Sequence, residues 1–143
     1  MREIKFRAKA GTQWRYGDLY HNECGELVIY EPKTSGRTLG GGAVDGWRIK
    51  VAPETVGQFT GIHDANGHEI YEGDVLEYKT WAETGEHYVT MGEVRYVQDQ
   101  FLVVGPKDIE VQGLFGVAHE PALSDVLVVG NIHDNPELLE RKP

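Results

Sequence analysis

Apolar and polar residues alternate along much of this chain with a period of two, the spacing of strands that bury one face. Ile4-Lys5-Phe6-Arg7-Ala8-Lys9 sets the pattern. Ile4, Phe6 and Ala8 are expected to face a core, and the basic residues between them to face water. Gly11-Thr12 reads as a turn. Trp14 and Tyr16 then flank Arg15, Leu19-Tyr20 follows Gly17-Asp18, and the turn Asn22–Gly25 leads into Leu27-Val28-Ile29-Tyr30. These pieces predict an antiparallel meander. Residues 31–46 break the rhythm with Pro32, Gly36, Gly40, Gly41, Gly42 and Gly46. That glycine content predicts a mobile loop between strands.

Trp47-Arg48-Ile49-Lys50-Val51 alternates again, and Pro53-Glu54-Thr55-Val56 predicts a single helical turn. Gln58-Phe59-Thr60 resumes extended structure. Asp64-Ala65-Asn66-Gly67 and Glu72-Gly73-Asp74 read as tight turns around Ile70-Tyr71. Val75–Tyr78 predicts a strand and Lys79–His87 a polar connection. Tyr88–Tyr96 and Phe101–Val104 predict a hairpin around Gln98-Asp99-Gln100. Ile109-Glu110-Val111 is a short alternating piece. Val126–Ile132 has the apolar run of a buried strand, and Asn135-Pro136-Glu137 starts a helix of one to two turns. The expected fold is all-β: a small barrel or sandwich of short antiparallel strands with a token C-terminal helix. Residues 1–56 form the first part, with the Gly-rich loop at 31–46, and residues 57–143 the second. The two are expected to make one compact unit.

Composition agrees with this reading. Val plus Ile outnumber Leu 22 to 10, Ala is scarce at 8, and the 143 residues include 18 Gly, a balance that favours strands and turns. No apolar run approaches the roughly 20 residues of a membrane span, and the alternating N-terminus is unlike a signal peptide. A cytoplasmic protein is expected. The net charge of −9 is uneven. Residues 1–56 hold 9 Lys/Arg and 7 Asp/Glu, a net of +2, whereas residues 57–143 hold 5 and 16, a net of −11. An acidic surface disfavours nucleic acid, whose binding rests on neutralising phosphates. The basic cluster Arg2, Lys5, Arg7, Lys9 and Arg15 leaves room for a small patch, although an ordinary solvated strand face explains it as well.

Candidate chemistry is sparse. The single cysteine, Cys24, forms no internal disulfide and no thiolate zinc site, and beside His21 it reads as a turn residue rather than a nucleophile. The pairs His63-Asp64, His133-Asp134 and His68-Glu69 are rich in donors, but neighbours on a strand point to opposite faces. Asp64 and Asp134 are expected to orient turns through their own backbone, and His63 and His133 to fill half-buried strand ends. Glu72 and Asp74 flank Gly73 too closely for paired-acid hydrolysis, so Asp74 is expected to cap the turn. Ser35 and Ser124, the two serines, sit in no Gly-x-Ser-x-Gly elbow. The Gly40–Gly42 run lacks the helix and Lys-Ser/Thr pair of a phosphate loop. No catalytic residue, cofactor site or metal ligand is assigned.

Four segments carry a resemblance. They are Met1–Arg7 (MREIKFR), Glu54–Gly61 (ETVGQFTG), Asp64–Asp74 (DANGHEIYEGD) and Gly130–Leu139 (GNIHDNPELL). In this order and spacing they resemble the YopX family of phage and prophage proteins, over the whole chain. The resemblance implies an all-β protein, an SH3-like β roll over residues 57–143 and a phage or prophage origin. It implies no activity and supplies no catalytic residue. The expected function is a non-enzymatic module that binds an unidentified host or phage protein or assembles with copies of itself. The alternatives are an acidic decoy of a host nucleic-acid-binding protein and a nucleic-acid-binding roll that uses the basic first strand.

Overall fold

The computed structural model describes residues 3–32, 46–81, 84–105, 111–114 and 126–139. The chain divides into two compact units, Met1–Phe59 and Thr60–Pro143. The described residues are nearly all in short antiparallel strands and the turns between them.

In the first unit, β1 (Phe6–Ala10), β2 (Gln13–His21), β3 (Leu27–Pro32) and β4 (Gly46–Lys50) form a meander. β1 lies between β2 and the opening residues of β5 (Gly57–His63), with Phe6 opposite both Gly17 and Gln58. β3 lies between β2 and β4. The core beneath this sheet is small: Ala8, Ile29 and Val51, with Leu19, Leu27 and Ile49 packed at its rim. The turn at Asn22 is built by its side chain, whose Oδ1 accepts the N–H groups of Cys24 and Glu26 at 3.0 and 2.9 Å. The expected helical turn is a 3-10 turn at Pro53–Thr55. The central glycines of the predicted Gly-rich loop lie outside the described residues.

In the second unit, the end of β5 leads through a turn to β6 (Glu69–Tyr71). β7 (Asp74–Trp81), β8 (His87–Val97), β9 (Gln100–Val104), β10 (Val111–Gly113) and β11 (Leu127–Asn131) form a sheet in the order β10-β9-β8-β7-β11. Among the described residues the sheet is open, with β10 and β11 at its edges, and does not close into a barrel. Its core is larger than that of the first unit and holds Ile70, Leu76, Tyr78, Val94, Val103, Leu114 and Val126.

Three expectations change. The polar stretch after Tyr78 is largely strand, because Lys79, Thr80 and Trp81 pair with Val89, Tyr88 and His87. Ladder bonds come from the backbone, so polar side chains do not end a hairpin arm. The apolar run at 126–132 is an edge strand rather than a buried one. Val126 is buried, but among the described residues β11 pairs only with β7, and a bulge between Val128 and Gly130 leaves Val129 exposed. The C-terminal helix is one 3-10 turn, Pro136–Leu138, and Asn135 does not cap it. Its Oδ1 turns back to the Asn131 N–H at 3.3 Å.

Candidate functional site

The first unit's sheet has a corner where β2 changes partner. Residues 13–17 of β2 pair with β1, and residues 18–21 pair with β3. The change occurs at Gly17, whose φ is +156° and whose hypothetical Cβ would stand 2.0 Å from the Tyr30 carbonyl oxygen. Only glycine lets the two backbones approach so closely. Glu31 fills in beside it: Oε1 accepts the Tyr16 N–H at 3.3 Å, and Oε2 accepts an Arg15 guanidinium N–H at 3.4 Å. The corner opens a cleft of about 360 Å³, lined by Ile4, Lys5, Tyr16, Asp18, Glu31 and Pro32. Trp47 stands across the β3–β4 ladder from Glu31. Ile4, expected to face a core, lies before the start of β1 and is 66% exposed; Trp47 and Tyr16 are 56% and 40% exposed, so this surface offers apolar area to water.

The basic residues of β1 are arranged differently from the expected solvated face. Arg7 is buried, with its guanidinium 4.6 Å from the centre of the Trp14 ring. Lys9 lies 5.6 Å from the same ring, and Lys5 lies 5.7 Å from the Phe59 ring. The register explains the pairing, because Lys9 stands opposite Trp14 and Arg7 opposite Tyr16. A cation over an aromatic face exchanges part of its hydration for the ring's negative quadrupole. Arg48 repeats the arrangement over Tyr30 at 5.6 Å. The acid–base pair on this unit, Lys50 with Glu26, is exposed. Their mutual hydrogen bond and charge attraction hold the Glu26 carboxyl below, and the Lys50 ammonium above, their ordinary values.

The second unit uses its candidate residues to build turns. Asp64 is fully buried at its side chain. Its Oδ1 accepts the N–H groups of Asn66 and His68, each at 2.9 Å, and its Oδ2 accepts the Val128 N–H at 3.0 Å. Burial alone would raise this carboxyl's pKa. The hydrogen bonds from Val128, His68 and Asn66 outweigh burial and hold it below the ordinary carboxylate value. His68 places Nδ1 3.4 Å from Oδ2 and is itself exposed. Asp74 caps its turn as expected, accepting the Tyr71 N–H at 2.7 Å. In the turn before Pro136 the side chain of Asn131 receives the backbone N–H groups. Asn131 Oδ1 accepts the His133 and Asp134 N–H groups at 3.0 and 2.9 Å, and the Asp134 carboxylate accepts from Asn131 Nδ2 at 3.2 Å. His133 is half-buried, but His63 is exposed. Cys24 is exposed in its turn, as is the neighbouring His21. Among the described residues, no three His, Cys, Asp or Glu side chains converge to hold a metal ion. Ser35 and Ser124 lie outside the described residues.

Sequence reading did not single out Glu31, Trp47 or Asn131. Glu31 directly precedes Pro32 at the end of the third apolar run, and an acid there was the one available signal.

The four segments that carry the resemblance meet in pairs. Phe59 donates its N–H to the Lys5 carbonyl at 2.8 Å, joining the first two. Asn131 stands opposite Asp74, and Ile132 donates to the Gly73 carbonyl at 2.9 Å, joining the last two. Solved structures share the fold. The crystal structure of protein EF1440 from Enterococcus faecalis matches with a TM-score of 0.59 at 23% identity, over 97% of this chain and 99% of that one. Protein yopX from Bacillus subtilis matches with a TM-score of 0.56 at 18% identity, over 94% and 97%. No curated protein sequence matches the chain. The family model described as YopX protein matches residues 5–140, and the chain belongs to that family.

Proposed function

We propose that this chain is a phage- or prophage-encoded module that works by binding a protein and catalyses no reaction. The observation that carries the reading is the corner of the first unit, where Ile4, Tyr16 and Trp47 are exposed around an open cleft of about 360 Å³. Apolar side chains gathered at the surface beside polar groups are the usual material of a protein interface. The family's segments are taken up by strands and turns, which fits a scaffold better than a catalytic centre. The SH3-like roll over residues 57–143 and residence in the host cytoplasm belong to the same reading. Among the described residues no helix is long and apolar enough to cross a membrane.

The test is crosslinking of the tagged full chain in host cells, beside a chain carrying Ile4→Asp and Tyr16→Asp. A partner captured by the parent and lost from the variant supports binding at the corner. A partner held equally by both, or none with either, overturns it.

Self-assembly is the second reading, favoured by opposite charge. Residues 1–59 carry a net +2 and residues 60–143 a net −11, which favours head-to-tail contact between copies. Light scattering at low salt and high concentration decides it, and a clean monomer counts against it. Binding of phosphate by β1 gains nothing from the geometry, since Arg7 is buried and Lys5 and Lys9 lie over rings.

A further inference from the structure

The strongest unassigned feature is the outer edge of β4. Val51 donates its N–H to the Leu27 carbonyl at 3.1 Å. The unbroken register from Val28–Lys50 to Pro32–Gly46 continues this ladder. Hydrogen-bonded and non-hydrogen-bonded pairs alternate in an antiparallel ladder. Trp47 and Ile49 therefore turn their backbone groups toward β3, and Arg48 and Lys50 turn theirs away from it. Among the described residues no strand lies beyond β4.

Sheet edges are blunted by shortness, by charged side chains, by proline or by a bulge. The β11 edge carries a bulge at Val129. β4 is short and carries Arg48 and Lys50, but it has no bulge and no proline and keeps an exposed tryptophan. We propose that the β4 edge receives an extended segment of a partner protein as an added strand, and that this segment carries an acid opposite Arg48.

Charge selects the occupant. β4 holds two cations and no acid. Lys50 is already paired with Glu26, so Arg48 is the charge on offer. Its guanidinium lies over the Tyr30 ring, which orients it without using its in-plane N–H donors. A second copy fits less well. A two-fold pairing of β4 with itself centred on Arg48 sets Arg48 against Arg48, and one centred on Ile49 sets it against Lys50, and like charges directly opposite destabilise a sheet. An incoming strand with an acid opposite Arg48 and apolar residues beside Trp47 and Ile49 satisfies both faces. Strand addition draws affinity from main-chain bonds and specificity from alternate side chains. The proposal rests on the protein-binding reading and names the chemistry of the partner.

Two substitutions separate backbone from charge. Arg48→Pro removes an outward N–H while sparing the β3–β4 ladder, and Arg48→Glu reverses the charge while keeping the backbone. The probe is a random dodecapeptide display library selected on the full chain, with both variants as counter-selections. The expected consensus is one acid flanked by apolar residues. The peptides are expected to bind at least tenfold more tightly to the parent than to either variant, to weaken with salt, and to slow amide exchange at Arg48 and Lys50. No enrichment, a basic consensus, or equal binding to Arg48→Glu overturns the proposal. Peptides that protect the Tyr16–Glu31 cleft instead overturn the edge while leaving protein binding intact. A dimer in sedimentation that Arg48→Pro abolishes gives the edge to a second copy and overturns the acidic partner.

Discussion

The two units close short strands with different materials. Met1–Phe59 has a small core of Ala8, Ile29 and Val51 and lays several of its aromatic rings under cations near the surface. Thr60–Pro143 buries tyrosine and branched aliphatics and fixes its turns with the buried carboxylates of Asp64 and Asp74. Stability in the second unit is concentrated in groups that water does not reach. In the first it is spread over backbone fit and half-exposed stacking, which leaves apolar area for a partner. The contrast teaches that the unit with less core has more surface chemistry to offer.

The largest expected effect tests the richer core. Leu76→Ala removes a fully buried side chain, and truncations of this kind cost about 3 kcal/mol. Chemical denaturation followed by hydrogen exchange should show the loss across β7, β8 and β11 first. An equal loss confined to β1–β4 would break the contrast. Next comes backbone fit in the first unit. Gly17→Ala forces a Cβ into the Tyr30 carbonyl, and such strain costs about 2–3 kcal/mol. Exchange should accelerate at β2 and β3, and the cleft should lose its shape.

The buried carboxylate follows. Asp64→Asn keeps one acceptor oxygen but sets an amide N–H against a backbone donor, at a cost of about 2 kcal/mol. The pH dependence has a definite sign. The folded Asp64 carboxyl sits below the ordinary value, which is about 3.9. Its stabilising contribution is therefore complete above that pH and is lost as pH falls through the folded value. Urea midpoints measured from pH 7 down to pH 2 should fall less steeply for Asp64→Asn than for the parent. Parallel curves would sink this account of the turn.

The smallest effect is a gain. Gln98 and Asp99 occupy the β8–β9 hairpin with φ of 50° and 66°, a geometry that Asn-Gly adopts more readily. Gln98→Asn with Asp99→Gly should stabilise the second unit by about 1 kcal/mol. A thermal midpoint that rises only modestly would sharpen the view that its stability resides in the core.

Much of this was legible in the alternation of residues. Val75–Tyr78, Phe101–Val104 and Trp47–Lys50 announce strands because branched and aromatic residues recur at every second position. Asp74 was readable as a cap because its partner, Tyr71, lies three residues away. What escaped depended on distant partners. Arg7 reads as a solvent-facing residue until the register brings Trp14 to its side of the sheet. The run at Val126–Val129 reads as buried because periodicity cannot tell a central strand from an edge carrying a bulge. Gly17 gave no signal of its own in the alternation, yet it is where β2 exchanges one neighbour for another. The cleft beside Gly17 was invisible for the same reason.

The bond from Val128 to Asp64 spans 64 positions of the chain. A ribosome makes the acceptor long before it makes the donor. Until β11 emerges, β7 has β8 on one side and nothing from β11 on the other, and a carboxylate destined for burial waits in water. A product broken off before residue 126 lacks both the β11 partner of β7 and the Val128 bond to Asp64, and an exposed strand edge of that kind invites aggregation.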